Sequence, residues 1–212
     1  MPLSADEPIR SLIALDMEYN GNFVTPEIDG DTYLKKPPLY NWILLGFFKV
    51  FQSHEEWVIR LPSILSILLF GAIISLLSWR HSRDLNQAIV TGMAWVTGGH
   101  LLLYSSYLGH IDVTYSLTTF LGIYSLFYFG ERKDFLSMFL VSYVLAACGF
   151  LMKGLPSIVF QAISLFTYLI VFQSWKKLFD WRNFLGIAFF ILPIGIYLFF
   201  FSRHADLTSY FN

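Results

Sequence analysis

Six runs without a single formal charge decide what this chain can fold into: residues 61–79, 86–109, 113–130, 135–152, 154–172 and 183–202. Each has the roughly 18 to 25 residues that a helix needs to cross about 30 Å of hydrocarbon. Only 14% of the 212 residues are charged, against about 25% in an ordinary soluble domain. The fold class implied is an all-α polytopic membrane protein. It has about six transmembrane helices and an outward loop with interfacial amphipathic helices. The formal net charge of −1 gives no support for nucleic-acid binding. The single Cys148 leaves no disulfide framework or thiolate metal cage.

The charges concentrate at the front. Residues 1–60 hold nine acidic and five basic side chains, and the remainder punctuate the apolar runs. Three regions follow: 1–60 as an outward catalytic loop with juxtamembrane helices, 61–202 as a transmembrane bundle, and 203–212 as an outward tail. Residues 39–52, LYNWILLGFFKVFQ, are apolar but short and carry Lys49, so they are placed in the membrane interface. The linkers at 80–86, 131–134 and 176–182 carry seven Lys and Arg. The positive-inside rule puts these linkers in the cytoplasm and residues 1–60, His110–Asp112 and Lys153–Gly154 outside.

Three clusters in the outward segments carry candidate chemistry. Asp6 and Glu7 open an amphipathic helix with Ile9, Leu12, Ile13 and Met17 on one face and Arg10 and Ser11 elsewhere. The bland account of this pair is a Ser4-x-x-Glu7 capping box, with acids favoured in a first turn by the helix dipole. In Lys35-Lys36-Pro37-Pro38-Leu39-Tyr40-Asn41-Trp42 the prolines force an extended entry. Its lysines and aromatics read either as an interfacial belt or, for Lys36, as a point charge for a lipid phosphate. In His110-Ile111-Asp112, Asp112 is either a helix N-cap or a second acid on the same membrane side as Asp6.

Taken in order, these residues resemble the GT-C type membrane glycosyltransferases, the family of lipid A aminoarabinose transferases and protein O-mannosyltransferases. The string is Asp6-Glu7, Asn22-Phe23-Val24-Thr25-Pro26, Gly30, Tyr33, Lys36 through Trp42, and Arg60-Leu61-Pro62-Ser63. Asp112 and Gly149-Phe150-Leu151-Met152-Lys153-Gly154 follow downstream. The resemblance implies transfer of a sugar from a polyprenyl-phosphate carrier to a lipid or protein acceptor, with inversion. The acceptor class includes lipid A-like lipopolysaccharide. The site would face the periplasm or exterior of a bacterial inner membrane. Asp6, Glu7 and Asp112 are the implied catalytic acids, Lys36 and Lys153 the phosphate ligands, and Tyr40, Trp42 and His110 the positioning residues. The chemistry fits, because a carboxylate activates the acceptor hydroxyl and a cation stabilises charge on the departing phosphate.

Family members start with a helix before the Asp-Glu pair and continue beyond six spans, so the expectation is a piece of a longer protein with a truncated tail. No cofactor is required by this reading. A divalent metal ion stays open as a cofactor, since His110 with Asp112, and His54 with Glu55 and Glu56, offer imidazole and carboxylate. A transporter subunit is the rival class. Its usual signature is ionisable groups at the midplane, where the deepest candidate is His100, which at helical spacing reads as an interhelical histidine. A non-catalytic membrane scaffold is the third reading.

Overall fold

The computed structural model describes residues 3, 7–28, 30–98, 109–172 and 175–204. Ser4, Asp6, Asp29, His100 and residues 205–212 of the expected tail lie outside the described residues. Helix α1 (Glu7–Asn20) leads to a two-stranded hairpin, β1 (Glu27–Ile28) and β2 (Asp31–Thr32), and then to α2 (Leu39–Phe51). The remaining helices are α3 (Glu56–Ser82), α4 (Leu85–Val96), α5 (Ile111–Glu131), α6 (Phe135–Lys153), α7 (Pro156–Val171) and α8 (Trp181–Phe201). A short 3₁₀ helix (Trp175–Phe179) joins the last two.

Every expected apolar run has a helix on it. Three of them, α3, α6 and α8, are long and apolar enough to cross a membrane. Helix α5 has the length but carries hydroxyl-rich turns such as Thr114, Ser116 and Thr118. The 16 residues of α7 extend about 24 Å and the 13 of α2 about 20 Å, so neither spans 30 Å of hydrocarbon upright. Helix α4 ends at Val96 with Thr97 as its C-cap, well short of the expected run to 109, and residues 99–108 of that run lie outside the described residues.

The basic linkers end in a common device. Asp84, Asp134 and Asp180 each stand just before a helix, and their side chains accept backbone N–H groups at Asn86 and Gln87, at Ser137 and at Arg182. Each supplies an N-cap to donors that have no intrahelical partner. Arg83 (φ 57°) and Lys133 (φ 60°) take the left-handed turn that closes the preceding helix.

The chain forms two compact units. One takes in the described residues of Met1–Leu15 and Asn41–Leu117, the other those of Asp16–Tyr40 and Thr118–Asn212. In the first, α3 packs on α4 through small residues. A Cβ on Gly92 would lie 1.9 Å from Ser75 Oγ and 3.0 Å from the Gly71 carbonyl, and Ser75 Oγ donates to Ala88 O at 3.0 Å. Close backbone approach of this kind is how helices associate where lipid removes the hydrophobic drive.

In the second unit α6 packs on α7 and on α8, and Leu126 of α5, Met138 and Phe139 of α6, and Leu165, Tyr168 and Leu169 of α7 form a buried cluster. The hairpin of this unit explains much of the Asn22–Tyr33 string. Asn22 Oδ1 accepts the N–H groups of Val24 and Thr25, Gly30 turns the hairpin at φ 87°, and Tyr33 N donates to Pro26 O at 2.8 Å.

One expectation about α1 is corrected. Its buried residues are Glu7, Arg10, Ser11, Ile13, Ala14 and Met17, whereas Leu12 is 48% exposed. The helix is rotated so that a carboxylate and a guanidinium are buried and a leucine is not. By that rotation Glu7 gains Arg60 and the Gly109 N–H as partners.

Candidate functional site: a buried carboxylate clamp

Glu7 begins α1 and is fully buried. Its Oε1 accepts from Arg60 Nε at 3.0 Å, and its Oε2 from the Arg60 NH2 group at 3.4 Å. Oε1 also accepts the backbone N–H of Gly109. Glu7 therefore directs its carboxylate across the fold to α3 and to the strip before α5, and Ser4, its partner in the expected capping box, lies outside the described residues. Three segments meet on one side chain: the start of α1, the first turns of α3 and the strip that leads into α5.

Further contacts tighten that junction. Ser63 Oγ donates to His110 O at 2.9 Å, and Ser66 Oγ lies 2.9 Å from Thr114 Oγ1. Pro62, buried inside α3, has no N–H to offer. Gly109 fits because a Cβ there would sit 3.0 Å from Ile59 O and 3.2 Å from Glu7 Oε1. A buried ion pair is worth little unless its remaining valences are satisfied, and here the Gly109 N–H adds a third donor to the carboxylate.

Asp112 lies in the first turn of α5, which starts at Ile111, and it is exposed. It is thus inside the helix rather than at the cap position, where the dipole still favours its charge. His110 is buried and half a turn away. The clamp holds the backbone three residues before Asp112, so the structure ties Glu7, His110 and the Asp112 segment into one junction. Trp42 belongs to the same unit.

Lys36, Tyr40 and Lys153 belong to the second unit. Lys36 is half-buried beside buried Pro37 and Pro38, whereas Lys35 is exposed. Tyr40 is fully buried. Lys153 is the last residue of α6, before Gly154 at φ 78°.

Arg60 and Gly109 were not among the residues singled out for roles. The available signal was an arginine at the head of a long charge-free run, where a cation needs a reason.

At the start of α3, His54, Glu55, Glu56, Trp57, Arg60, Leu61 and Ile64 line an open cleft of about 690 Å³. Trp57 Nε1 donates to Glu55 Oε2 at 2.7 Å, and Phe51 and Phe48 pack edge-on against Trp57 and His54. Among the described residues no three His, Cys, Asp or Glu side chains come together as a metal site.

A sequence profile described as dolichyl-phosphate-mannose-protein mannosyltransferase matches residues 35–200. The chain belongs to this family. It is 22% identical over 209 residues to the undecaprenyl phosphate-alpha-4-amino-4-deoxy-L-arabinose arabinosyl transferase of Pseudomonas aeruginosa (strain UCBPP-PA14), covering 97% of this chain and 38% of that protein. An uncharacterized protein of Aquifex aeolicus (strain VF5) is 25% identical over 183 residues, 86% of this chain and 36% of its own length.

The fold is similar to that of part of ArnT from Cupriavidus metallidurans. The apo structure matches with a TM-score of 0.80 at 21% identity, over 99% of this chain and 40% of that one. The structure bound to undecaprenyl phosphate matches at 0.76 with 20% identity, over 97% and 38%. The chain therefore spans about four tenths of the length of these relatives. Family and fold agree with the resemblance drawn from the motifs, and the all-α polytopic membrane architecture stands.

Proposed function

We propose that the protein works as a membrane glycosyltransferase that takes a sugar from a polyprenyl-phosphate carrier and passes it to a lipid or protein acceptor. Support comes from family membership and from one observation above all. The Glu7 carboxylate fastens the segment carrying the Asp-Glu pair to the segment carrying Asp112, through Arg60 and the Gly109 N–H. A latch of this kind has an evident use if acids from those two segments act on one substrate.

In this reading Asp6 takes the proton of the acceptor hydroxyl as it attacks the anomeric carbon, and Asp112 is the second acid at the acceptor. Lys36 is the cation for the departing phosphate, with Lys153 as a further phosphate ligand. Glu7 is a positioning residue, because both of its oxygens are already engaged. Tyr40, Trp42 and His110 position substrate. No general acid is needed, since a phosphate leaves well. The site faces the side opposite the basic linkers, which in a bacterial inner membrane is the periplasm.

The test is transfer of radiolabelled sugar from polyprenyl-phosphate donors into lipid and protein fractions by the protein in nanodiscs. Asp6→Asn abolishes transfer with helix content and melting temperature unchanged, because the amide keeps capping geometry but cannot take a proton. Near-native turnover in that variant, together with a lowered melting temperature, would assign Asp6 to capping.

A further inference from the structure

We propose that the cavity between α6, α7 and α8 seats one acyl chain of an anionic phospholipid, with the lipid phosphate held at Lys176 and Arg182. This site is separate from the carrier chemistry and does not rest on the glycosyltransferase reading. The cavity measures about 260 Å³. Gln161, Leu165 and Asn183 at its base are buried, while Ile158 and Phe166 at its rim are 41% and 47% exposed. It therefore opens on a flank whose apolar side chains face outward, as lipid-exposed helix surfaces do.

Its polar wall groups spend hydrogen bonds on protein. The Tyr143 hydroxyl donates to Asn183 Oδ1 at 3.0 Å, Asn183 Nδ2 donates to Leu178 O at 2.9 Å, and Gln161 Nε2 donates to Ser142 Oγ at 3.1 Å. What remains for an occupant is mainly hydrocarbon: Ile158, Ala162, Leu165, Phe166, Ile187 and Phe190. The α8 stretch from Asn183 to Phe190 runs about 10 Å, enough for a row of methylenes.

Charge selects the class of lipid. The 3₁₀ helix contributes Leu178 to the cavity wall and carries Lys176 and Lys177, and Arg182 stands one residue before Asn183. Asp180 is the acid set between these cations, and Asp134 also faces the Arg182 charge. Asp180 lies 3.5 Å from Lys177 and 4.0 Å from Arg182, and it also caps α8. Lys177 is further engaged 4.1 Å over the Phe135 ring. Lys176 is exposed and makes no ion pair among the described residues.

Exposed Trp175, Phe179 and Trp181 flank the mouth, the residue types that settle at headgroup depth. Basic pockets between transmembrane helices on the positively flanked side bind anionic head groups. A neutral head would leave a net positive charge at this mouth without a counterion.

The experiment uses the wild-type protein in phosphatidylcholine vesicles containing a phosphatidylglycerol with a diazirine midway along one chain. Irradiation and peptide mapping should place the label in 158–166 and 183–190, and unlabelled phosphatidylglycerol should compete several-fold better than phosphatidylcholine. The double substitution Lys176→Gln, Arg182→Gln should remove that preference but not the labelling. Ala162→Phe, which fills the cavity, should suppress labelling at unchanged helix content.

Label spread evenly over all lipid-facing helices overturns the proposal, and that result is read on the wild type whether or not Ala162→Phe folds. Equal competition by the two phospholipids overturns it as well. So does stronger competition by undecaprenyl phosphate, which would make the carrier the occupant.

Discussion

Arg60 lies one turn into α3, and removing its guanidinium while Glu7 stays in place takes a cationic partner from a fully buried carboxylate. Losing one member of such a pair costs about 3–5 kcal/mol, so Arg60→Ala should lower the melting temperature in detergent markedly. The double variant Arg60→Ala, Glu7→Leu should recover part of the loss, since the stranded charge is gone. Little change in Arg60→Ala would mean that the pair is incidental to folding. Glu56, 44% exposed at 3.8 Å from Arg60, is a surface partner that cannot replace Glu7.

A second contrast is available between neighbouring lysines. Lys36 is half-buried beside two buried prolines and Lys35 is exposed. Lys36→Ala should weaken binding of polyprenyl phosphate and slow transfer, and Lys35→Ala should leave both near wild type. Equal effects would turn the pair into an ordinary electrostatic belt.

The elements are held at their ends as much as along their faces. The Asp180 carboxyl is held below its usual range, first by the Arg182 backbone N–H it accepts and then by the nearby charges of Arg182 and Lys177. Asp134 is lowered in the same way by its hydrogen bonds to Ser137. A carboxyl lowered on folding adds stability above its unfolded pKa of about 3.9, and that contribution is lost as pH falls through the lower folded value.

Asp180→Ala should therefore melt below wild type at pH 7, and the gap should close as the pH is taken well under about 4. A gap that persists in acid would show a cap that works without its charge. The cap was readable in advance, since an aspartate directly before an apolar run is a local signal. The left-handed closures at Arg83 and Lys133 were not, because neither residue type favours that conformation.

For the whole molecule the question is which ends share a side of the membrane. Single cysteines at Asp31 and Asp112, both exposed, in a Cys148→Ser background should react with an impermeant maleimide from outside the inner membrane. Cysteines at Arg83 and Lys176, also exposed, should react only after that membrane is opened. Opposite labelling of Asp31 and Asp112 would mean that Leu39–Phe51 crosses after all, despite a helix only about 20 Å long. It would also separate the two acids.

Transmembrane helices were legible in the sequence because burial in hydrocarbon is a property of each segment taken alone. A charge-free run of the right length satisfies its own backbone wherever its neighbours are. The family string was legible for a similar reason, as an ordered set of residues. The rotation of α1 was not, since hydropathy counts Glu7 and Arg10 as polar and turns them to water. The burial of Glu7 depends on Arg60, 53 residues away, and on Gly109, 102 residues away. An ion pair stabilises a buried carboxylate only when the partner is already delivered to within hydrogen-bond distance, and that delivery belongs to the packing of α1, α3 and the start of α5 rather than to any one of them.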